Sequence, residues 1–292
     1  MLQLLVNGVS VGCVYALLAV SFWVIFAATR TFHLAHAAVL TTSGYVMYVL
    51  HSVMDVPFLL AVLGAALWAA LLGGAMELFV YRPTRRAGGS GLLLFVAATA
   101  MLTLGTAGVA LIFSEEPKGL GSSATVLIEN PVVITDRDVW AVVATVIVIA
   151  GFVLVLGRTR WGRALRASMD NPRLAQCLAI NVKRVYVASF MIGSALAVLP
   201  LTIMALAAGV NPAMGLEPTL IAFVAVIVGG LRSFVGALVA GFALGLLENV
   251  MLLWLSASWQ DVLIFGVLFA VLIFFPQGLR AAPTIRAHTA EA

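Results

Sequence analysis

Charged residues are scarce in this sequence. Only 10% of the 292 residues are Asp, Glu, Lys or Arg, whereas 63% are hydrophobic and the mean hydropathy is +1.14. A soluble domain typically carries about 25% charged residues, because polar side chains must cover its core. Lipid removes that requirement, since the outer face of a membrane helix can itself be apolar. The shortage of charge therefore excludes a water-soluble fold and predicts an integral membrane protein.

Lysine and cysteine are almost absent. Neither of the two lysines, Lys118 and Lys183, follows the glycine-rich pattern G-x-x-x-x-G-K-[ST], so the sequence excludes ATP binding by a P-loop. Cys13 lies in an apolar segment and Cys177 in a basic loop, so no disulfide, metal site or cofactor is expected. No Lys or Arg precedes the first apolar run, which therefore lacks the charged region of a signal peptide and is interpreted as a retained membrane span.

Apolar segments long enough to enter a bilayer recur along the whole chain. A bilayer core needs about 20 apolar residues per helix. The candidate spans are residues 4–26, 35–50, 58–80, 91–113, 139–156, 185–208, 219–231, 234–255 and 258–275. The second and seventh are short and are interpreted as half-helices that end within the membrane. The predicted fold is one all-α polytopic membrane domain over residues 1–292, with about eight or nine transmembrane helices.

The loops between these spans differ in charge. Loop 81–90 carries three arginines and no acid, and loop 157–184 carries seven basic residues and one acid. Segment 114–138 has five acids and two bases. Cytoplasmic loops are enriched in Lys and Arg, so the basic loops and the C-terminus are predicted to be cytoplasmic and segment 114–138 external. This distribution accounts for the net charge of +4 without nucleic-acid binding.

The two halves of the chain resemble each other weakly. Each begins with a long apolar span, a polar break and a short apolar segment: residues 4–26 and 35–50, then 185–208 and 219–231. The first span is predicted to run inward and its counterpart outward, which makes an inverted repeat. Transporters with such repeats bind substrate near broken helices at the membrane midplane.

The basic segment 158–184 is predicted to form two short helices. The first has an apolar face with i, i+4, i+8 spacing, made of Trp161, Leu165 and Met169. Asn171 and Pro172 provide an N-cap and a first-turn proline for the second, whose apolar face is Leu174, Cys177 and Leu178. The pattern alone leaves two interpretations open: the helices lie on anionic lipid, or they dock into a groove on a cytoplasmic partner.

Ordered motifs over nearly the whole chain resemble the permeases of high-affinity branched-chain amino acid ABC importers, the LivH-like class. GRALRA followed by AINVKRV resembles the cytoplasmic coupling segment of that family, and Asn211–Pro212 with Gly215 resembles its external turn. GVSVGCVYALLAVSFWVIF, FHLAHAAVLTTSGYVM, AFVAVIVGGLRSFVGALVAGFALGLLEN and FPQGLR match further family motifs in the same order.

The resemblance implies a transport subunit of a bacterial inner-membrane importer rather than an enzyme. It implies two ABC ATPase subunits, a second homologous permease chain or a second copy of this one, and an external solute-binding protein. Segment 114–138 is interpreted either as the dock of that binding protein or as an ordinary solvated loop. The implied solute is a branched-chain amino acid or a similar small polar molecule, such as an amide or urea.

The resemblance also assigns residues to two roles. ATPase coupling is expected at Trp161, Gly162, Arg163, Leu165, Arg166, Asn171, Pro172, Leu174 and Asn181. Candidate residues of the translocation path are His36, Pro212, Gly215, Gly229, Gly230 and Glu248. The chain departs from the family pattern at Ala37, Pro200 and Arg232, and these departures put the solute in doubt but not the class.

Two other functions stay open from the residues alone. A stand-alone secondary transporter or channel normally uses intramembrane acids, and Glu248 is the one acid well inside an apolar span; it is equally interpreted as a residue of the outer interface. An intramembrane enzyme would use His33 and His36, for which loop packing is favoured over metal binding. The small pair Gly241 and Gly245 is interpreted as a packing site between helices of the same chain.

Overall fold

The computed structural model describes residues 2–121, 126–128 and 133–274, with only the backbone of Ala257 and Asp261. The FPQGLR motif and the predicted cytoplasmic C-terminus lie outside the described residues. The helices of the first half are α1 (Leu2–Thr29), α2 (His36–Tyr48), α3 (Phe58–Met76), α4 (Arg82–Arg86) and α5 (Gly91–Phe113). Those of the second half are α6 (Asp136–Arg158), α7 (Arg160–Asp170), α8 (Pro172–Cys177), α9 (Val182–Ala208), α10 (Leu216–Gly229), α11 (Phe234–Met251) and α12 (Gln260–Phe274).

Short irregular elements complete the helices. A π-helical turn, Val49–Val53, extends α2, and a second, Glu77–Tyr81, joins α3 to α4 without a break. A 3₁₀ turn, Ala257–Trp259, precedes α12. Two short antiparallel strands, β1 (Val126–Ile128) and β2 (Ile134–Thr135), precede α6.

The predicted all-α polytopic membrane fold is confirmed. Among the described residues, six helices are long and apolar enough to cross a membrane: Leu2–Thr29, Phe58–Arg86, Gly91–Phe113, Asp136–Arg158, Val182–Ala208 and Phe234–Met251. Two shorter apolar helices, Leu216–Gly229 and Val262–Phe274, accompany them. The total of eight or nine crossings and the inverted repeat stay predictions, although each half does contain a long helix, a break and a short helix.

Helix α1 lies at the centre of the molecule. Its residues from Gly12 to Ile25 are buried without interruption, because α6, α9, α10 and α11 all pack around it. A Cβ on Gly241 of α11 would stand 2.7 Å from the carbonyl oxygen of Tyr15, and one on Gly245 would stand 2.5 Å from the amide nitrogen of Gly12. The predicted role of this glycine pair in packing within one chain is therefore confirmed.

The peripheral helices expose apolar side chains outward. Leu111 and Ile112 of α5 are 88% and 76% exposed, and Phe79 after α3 is 78% exposed. Apolar side chains at such exposure are stable when lipid, rather than water, surrounds the helix. Helix α9 runs without interruption through Pro200, which is buried.

Candidate functional site

The predicted coupling segment begins with a tight corner between α6 and α7. Thr159 caps α7, since its Oγ1 accepts a hydrogen bond from the amide of Gly162 at 3.0 Å. A Cβ on Gly162 would stand 2.6 Å from the Cα of Leu156, so the corner has no room for a side chain there. Arg166 secures the same corner, because its Nη1 donates a hydrogen bond to the carbonyl of Leu156 at 2.9 Å. The corner fixes the direction of α7 relative to the membrane span before it.

Helix α7 is anchored to the membrane domain by its apolar face. Leu165 is completely buried and Met169 is 8% exposed, and the half-buried ring of Trp161 lies 6.3 Å from that of Phe152 in α6. At the far end of α7, Arg30 donates a hydrogen bond from Nη2 to the carbonyl of Met169 at 3.1 Å. The predicted apolar face of this helix is confirmed, and it faces the rest of the protein.

Helix α8 turns its apolar residues the other way. Its predicted N-cap is confirmed: Asn171 Oδ1 accepts hydrogen bonds from the amides of Arg173 and Leu174 at 3.0 and 3.1 Å. Leu174 and Leu178 are 59% and 68% exposed, and Cys177 is exposed as well. We call Leu174, Cys177 and Leu178 the α8 apolar surface. It is presented on a helix that α7 holds in place.

The remaining predicted coupling residues either support the local fold or are exposed. Asn181 caps α9, because its Oδ1 accepts a hydrogen bond from the amide of Arg184 at 3.2 Å. Pro172 occupies the first turn of α8 and is partly buried. Arg163 is exposed, and its side chain has no hydrogen bond or ion pair with any described residue.

Three of the predicted path residues meet around the first turns of α2. His36 is completely buried, and its Nε2 lies 3.4 Å from the Oγ of Ser21, in the middle of α1. The carbonyl of Pro212 accepts a hydrogen bond from Thr41 Oγ1 at 3.4 Å. A Cβ on Gly215 would stand 2.7 Å from the same Thr41 Oγ1. The turn before α10 therefore packs directly against the beginning of α2.

The other three predicted path residues lie elsewhere. Gly229 and Gly230 form the corner between α10 and α11: Gly230 has a φ of 96°, and a Cβ on Gly229 would stand 2.5 Å from the amide nitrogen of Ala237. Glu248 is 8% exposed and accepts a hydrogen bond from Gln260 Nε2 at 2.8 Å, which joins α11 to α12. The six candidates are not brought together into one site.

A buried polar cluster beside His36 was not predicted. His33 Nδ1 lies 2.7 Å from the hydroxyl of Tyr81, and its ring packs 4.8 Å from that of Phe190. One turn before Tyr81, Glu77 is 1% exposed and forms an ion pair with Arg85. The i, i+4, i+8 spacing of Glu77, Tyr81 and Arg85 was the available sequence signal, but nothing in the sequence joins that face to His33.

The segment predicted to be external is tied to the turn before α10. Lys118 and Val210 exchange two backbone hydrogen bonds, of 2.8 and 2.9 Å. At its other end, Asp138 Oδ2 accepts hydrogen bonds from the amide and hydroxyl of Thr135 at 3.0 and 2.6 Å, which fixes the start of α6. Residues 122–125 and 129–132 of this segment lie outside the described residues.

Comparison with known proteins gives a consistent result. The family model described as branched-chain amino acid transport system / permease component matches residues 4–272. The high-affinity branched-chain amino acid transport system permease protein BraD of Pseudomonas aeruginosa is 29% identical, with 97% of each chain covered. The corresponding permease protein LivH of Escherichia coli K12 is also 29% identical, over 97% of this chain and 96% of its own.

A solved structure shares the fold. A chain of PsaBC from Streptococcus pneumoniae, solved in complex with Fab, superimposes with a TM-score of 0.54 over 92% of this chain and 90% of its own. The two sequences are 11% identical, so this similarity concerns the fold alone.

Proposed function

Since the chain belongs to the family of branched-chain amino acid transport system permease components, an ABC importer family, we propose that it forms half of the translocation path of such an importer. The other half is a second homologous permease chain or a second copy of this one. Two ATPase subunits act from the cytoplasm, where the basic loops and the C-terminus lie, and the membrane is the bacterial inner membrane.

The α8 apolar surface is the observation that carries the proposed coupling to the ATPases. A helix that lies on lipid turns its apolar face toward the membrane, and α7 does turn its own toward the membrane domain. Leu174 and Leu178 instead leave more than half of their surface uncovered, on a short helix that begins two residues after the end of α7. Exposed apolar residues on a rigid support suit docking into a groove of a partner protein.

Separate ATPase subunits follow from the absence of a nucleotide site in the sequence. Neither lysine of the chain lies in a phosphate-binding loop, so ATP must be bound and hydrolysed by partner chains. The residues 161–181 then transmit the movement of those chains. Arg163 provides charge at the interface. The fold of the segment is maintained by five other residues: Gly162, Leu165, Arg166, Asn171 and Asn181.

The proposed solute is a branched-chain amino acid, with a small amide or urea as the alternative within the same class. A zwitterion carries no net charge and needs few fixed charges along its path. The acids inside the predicted spans are consistent with an uncharged solute, because each already has a partner in the protein. Glu77 is paired with Arg85, and Glu248 is hydrogen-bonded to Gln260. The meeting point of α2 with the turn at Pro212 and Gly215 is the proposed part of the path, and a solute-binding protein delivers solute to segment 114–138.

Affinity purification from the native membrane tests the assembly. Wild-type protein is expected to bring down two ATPase chains and a second permease, and Arg163→Glu is expected to lose the ATPases while folding normally. Arg86→Glu, an exposed charge reversal outside the segment, is the matched control. Arg166→Glu is less informative, since it also breaks the hydrogen bond to Leu156.

Uptake measurements in the same strain separate the competing functions. Labelled leucine, acetamide and urea are compared, with and without the ATPase genes. Uptake that continues without any ATPase, or unchanged ATPase binding by Arg163→Glu, would contradict the proposal. The first of these results would favour the stand-alone carrier or channel.

A further inference from the structure

A groove of ≈570 Å³ lies between the beginning of α9 and the residues Leu78 and Arg82, which follow α3. The two helices touch closely one to two turns deeper: a Cβ on Gly74 would stand 2.9 Å from Met191 Cγ, and one on Gly73 would stand 2.9 Å from the carbonyl of Phe190. Beyond that contact the two segments stay in touch, because the rings of Tyr81 and Phe190 are 5.3 Å apart and Arg85 lies 5.4 Å from the ring centroid of Tyr186. The groove lies beside these contacts, and its walls reach Asn181 and Lys183 at the basic end.

The mouth of the groove is positively charged. Arg82, Lys183 and Arg184 line it, and no acid is among the described residues that form its walls. The nearby Glu77 is hydrogen-bonded to Arg85 and acts on Arg82 only through longer-range attraction. The Nε of Arg82 is buried and has no hydrogen-bond partner among the described residues. The mouth therefore presents a cluster of cations to an anionic ligand.

The deeper part of the groove is apolar. Leu78 stands one turn before Arg82, and Val187, Ala188 and Met191 follow Arg184 on α9. Leu78 is 38% exposed. Cations at the mouth and apolar side chains below them match the two parts of a phospholipid, a phosphate headgroup and an acyl chain. A free phosphate would use only the first part.

We propose that this groove binds one anionic phospholipid of the leaflet that faces the basic loops. The phosphate lies between Arg82 and Arg184, and an acyl chain follows Leu78, Val187 and Met191 toward the contact at Gly74. Basic pockets between membrane helices are known to hold anionic headgroups. The bound lipid fills the space between Arg82 and the first turn of α9, which Asn181 caps.

Native mass spectrometry of the full-length chain in detergent tests the proposal. Phosphatidylglycerol and phosphatidylcholine are titrated separately, without nucleotide, so that the result is independent of the proposed transport function. Wild-type protein is expected to retain one phosphatidylglycerol in preference to phosphatidylcholine. Each removed cation is expected to weaken binding about fivefold, hence R82Q/R184Q about 25-fold.

Three further variants make the outcome unambiguous. Arg184→Lys keeps the charge and is expected to keep the lipid, and Arg86→Gln, an exposed arginine outside the groove, is the matched control. Ala188→Trp fills the apolar part while leaving every cation in place, and it is expected to displace the lipid. Size-exclusion profiles and thermal unfolding verify that each variant is folded.

Several results would overturn the proposal. These are retention of phosphatidylglycerol by the folded R82Q/R184Q variant, an equal loss in Arg86→Gln, or wild-type binding by Ala188→Trp. The last result, or displacement of the lipid by glycerol phosphate, would mean that the groove binds a phosphate group only. Displacement by an added ATPase subunit would mean that the mouth is a protein interface.

Discussion

Truncation of the α8 apolar surface is expected to release the ATPases without destabilising the permease. In the double variant Leu174→Ala/Leu178→Ala, both changes remove side chains that are more than half exposed. Neither side chain supports the fold, so the free energy of unfolding is expected to change by less than about 0.5 kcal/mol for each substitution. The loss of partner binding, in contrast, is expected to be large.

The magnitude follows from the exposed fractions. Complete burial of a leucine side chain contributes about 1.5–3 kcal/mol. At 59% and 68% exposure, a partner that covers what remains gains about 1–2 kcal/mol from each residue. The double variant is therefore expected to bind the ATPases about 30-fold more weakly, or worse. Contributions of contacting residues at an interface do not add strictly, so each single variant is measured too.

The assay is a titration of the purified ATPase against the permease in nanodiscs, with thermal unfolding measured in parallel. Gln176→Ala, an exposed change in the same helix but outside the apolar surface, is the control and is expected to bind normally. Leu165→Ala provides the opposite case: it empties a completely buried position and is expected to destabilise the fold by about 2–5 kcal/mol. Wild-type affinity in the folded double variant would refute the docking role of α8 and leave lipid contact as the better interpretation.

Three other substitutions test the packing described above. Gly241→Leu is expected to push α11 away from Tyr15 and to lower the free energy of unfolding by about 1–3 kcal/mol. The midpoint of thermal unfolding is expected to fall accordingly. Asn171→Ala removes the N-cap of α8 and is expected to lower the free energy of unfolding by about 1 kcal/mol, whereas Asn171→Ser is expected to restore part of it. Unchanged stability and ATPase binding in Asn171→Ala would contradict the capping role. Tyr81→Phe removes the hydroxyl beside the buried His33 and is expected to cost about 1–3 kcal/mol in a denaturant titration.

Local features of the fold could be predicted because they depend on neighbouring residues. Helix α5 has the predicted bounds, since polar Ser90 and Ser114 flank an unbroken apolar run, and Ser90 Oγ accepts a hydrogen bond from the amide of Leu93 at 3.4 Å. The boundary between α7 and α8 could be predicted because Asn171 and Pro172 form a helix start signal that does not depend on the rest of the protein.

The positions of the helices relative to one another could not be predicted in the same way. Helices α1 and α5 are similarly apolar. In α1, 89% of an apolar 18-residue stretch is buried in the protein, whereas in α5 the share is only 17%. An all-apolar helix has no polar face to mark its orientation. The translocation path through the six candidate residues therefore stays a prediction, and in the structure Glu248 accepts a hydrogen bond from Gln260 of α12.

A hydrogen bond joins the predicted coupling segment to the break between α1 and α2. Arg30 ends α1 with a φ of 50° and holds the last turn of α7 through the carbonyl of Met169. Three residues later, His33 is hydrogen-bonded to the hydroxyl of Tyr81. His36 then lies against Ser21 of α1. A displacement of α7 therefore either breaks the hydrogen bond between Arg30 and Met169 or moves the break that carries both histidines. We therefore expect movement at the α8 apolar surface to reach the meeting point of α2 with Pro212 and Gly215 through these contacts.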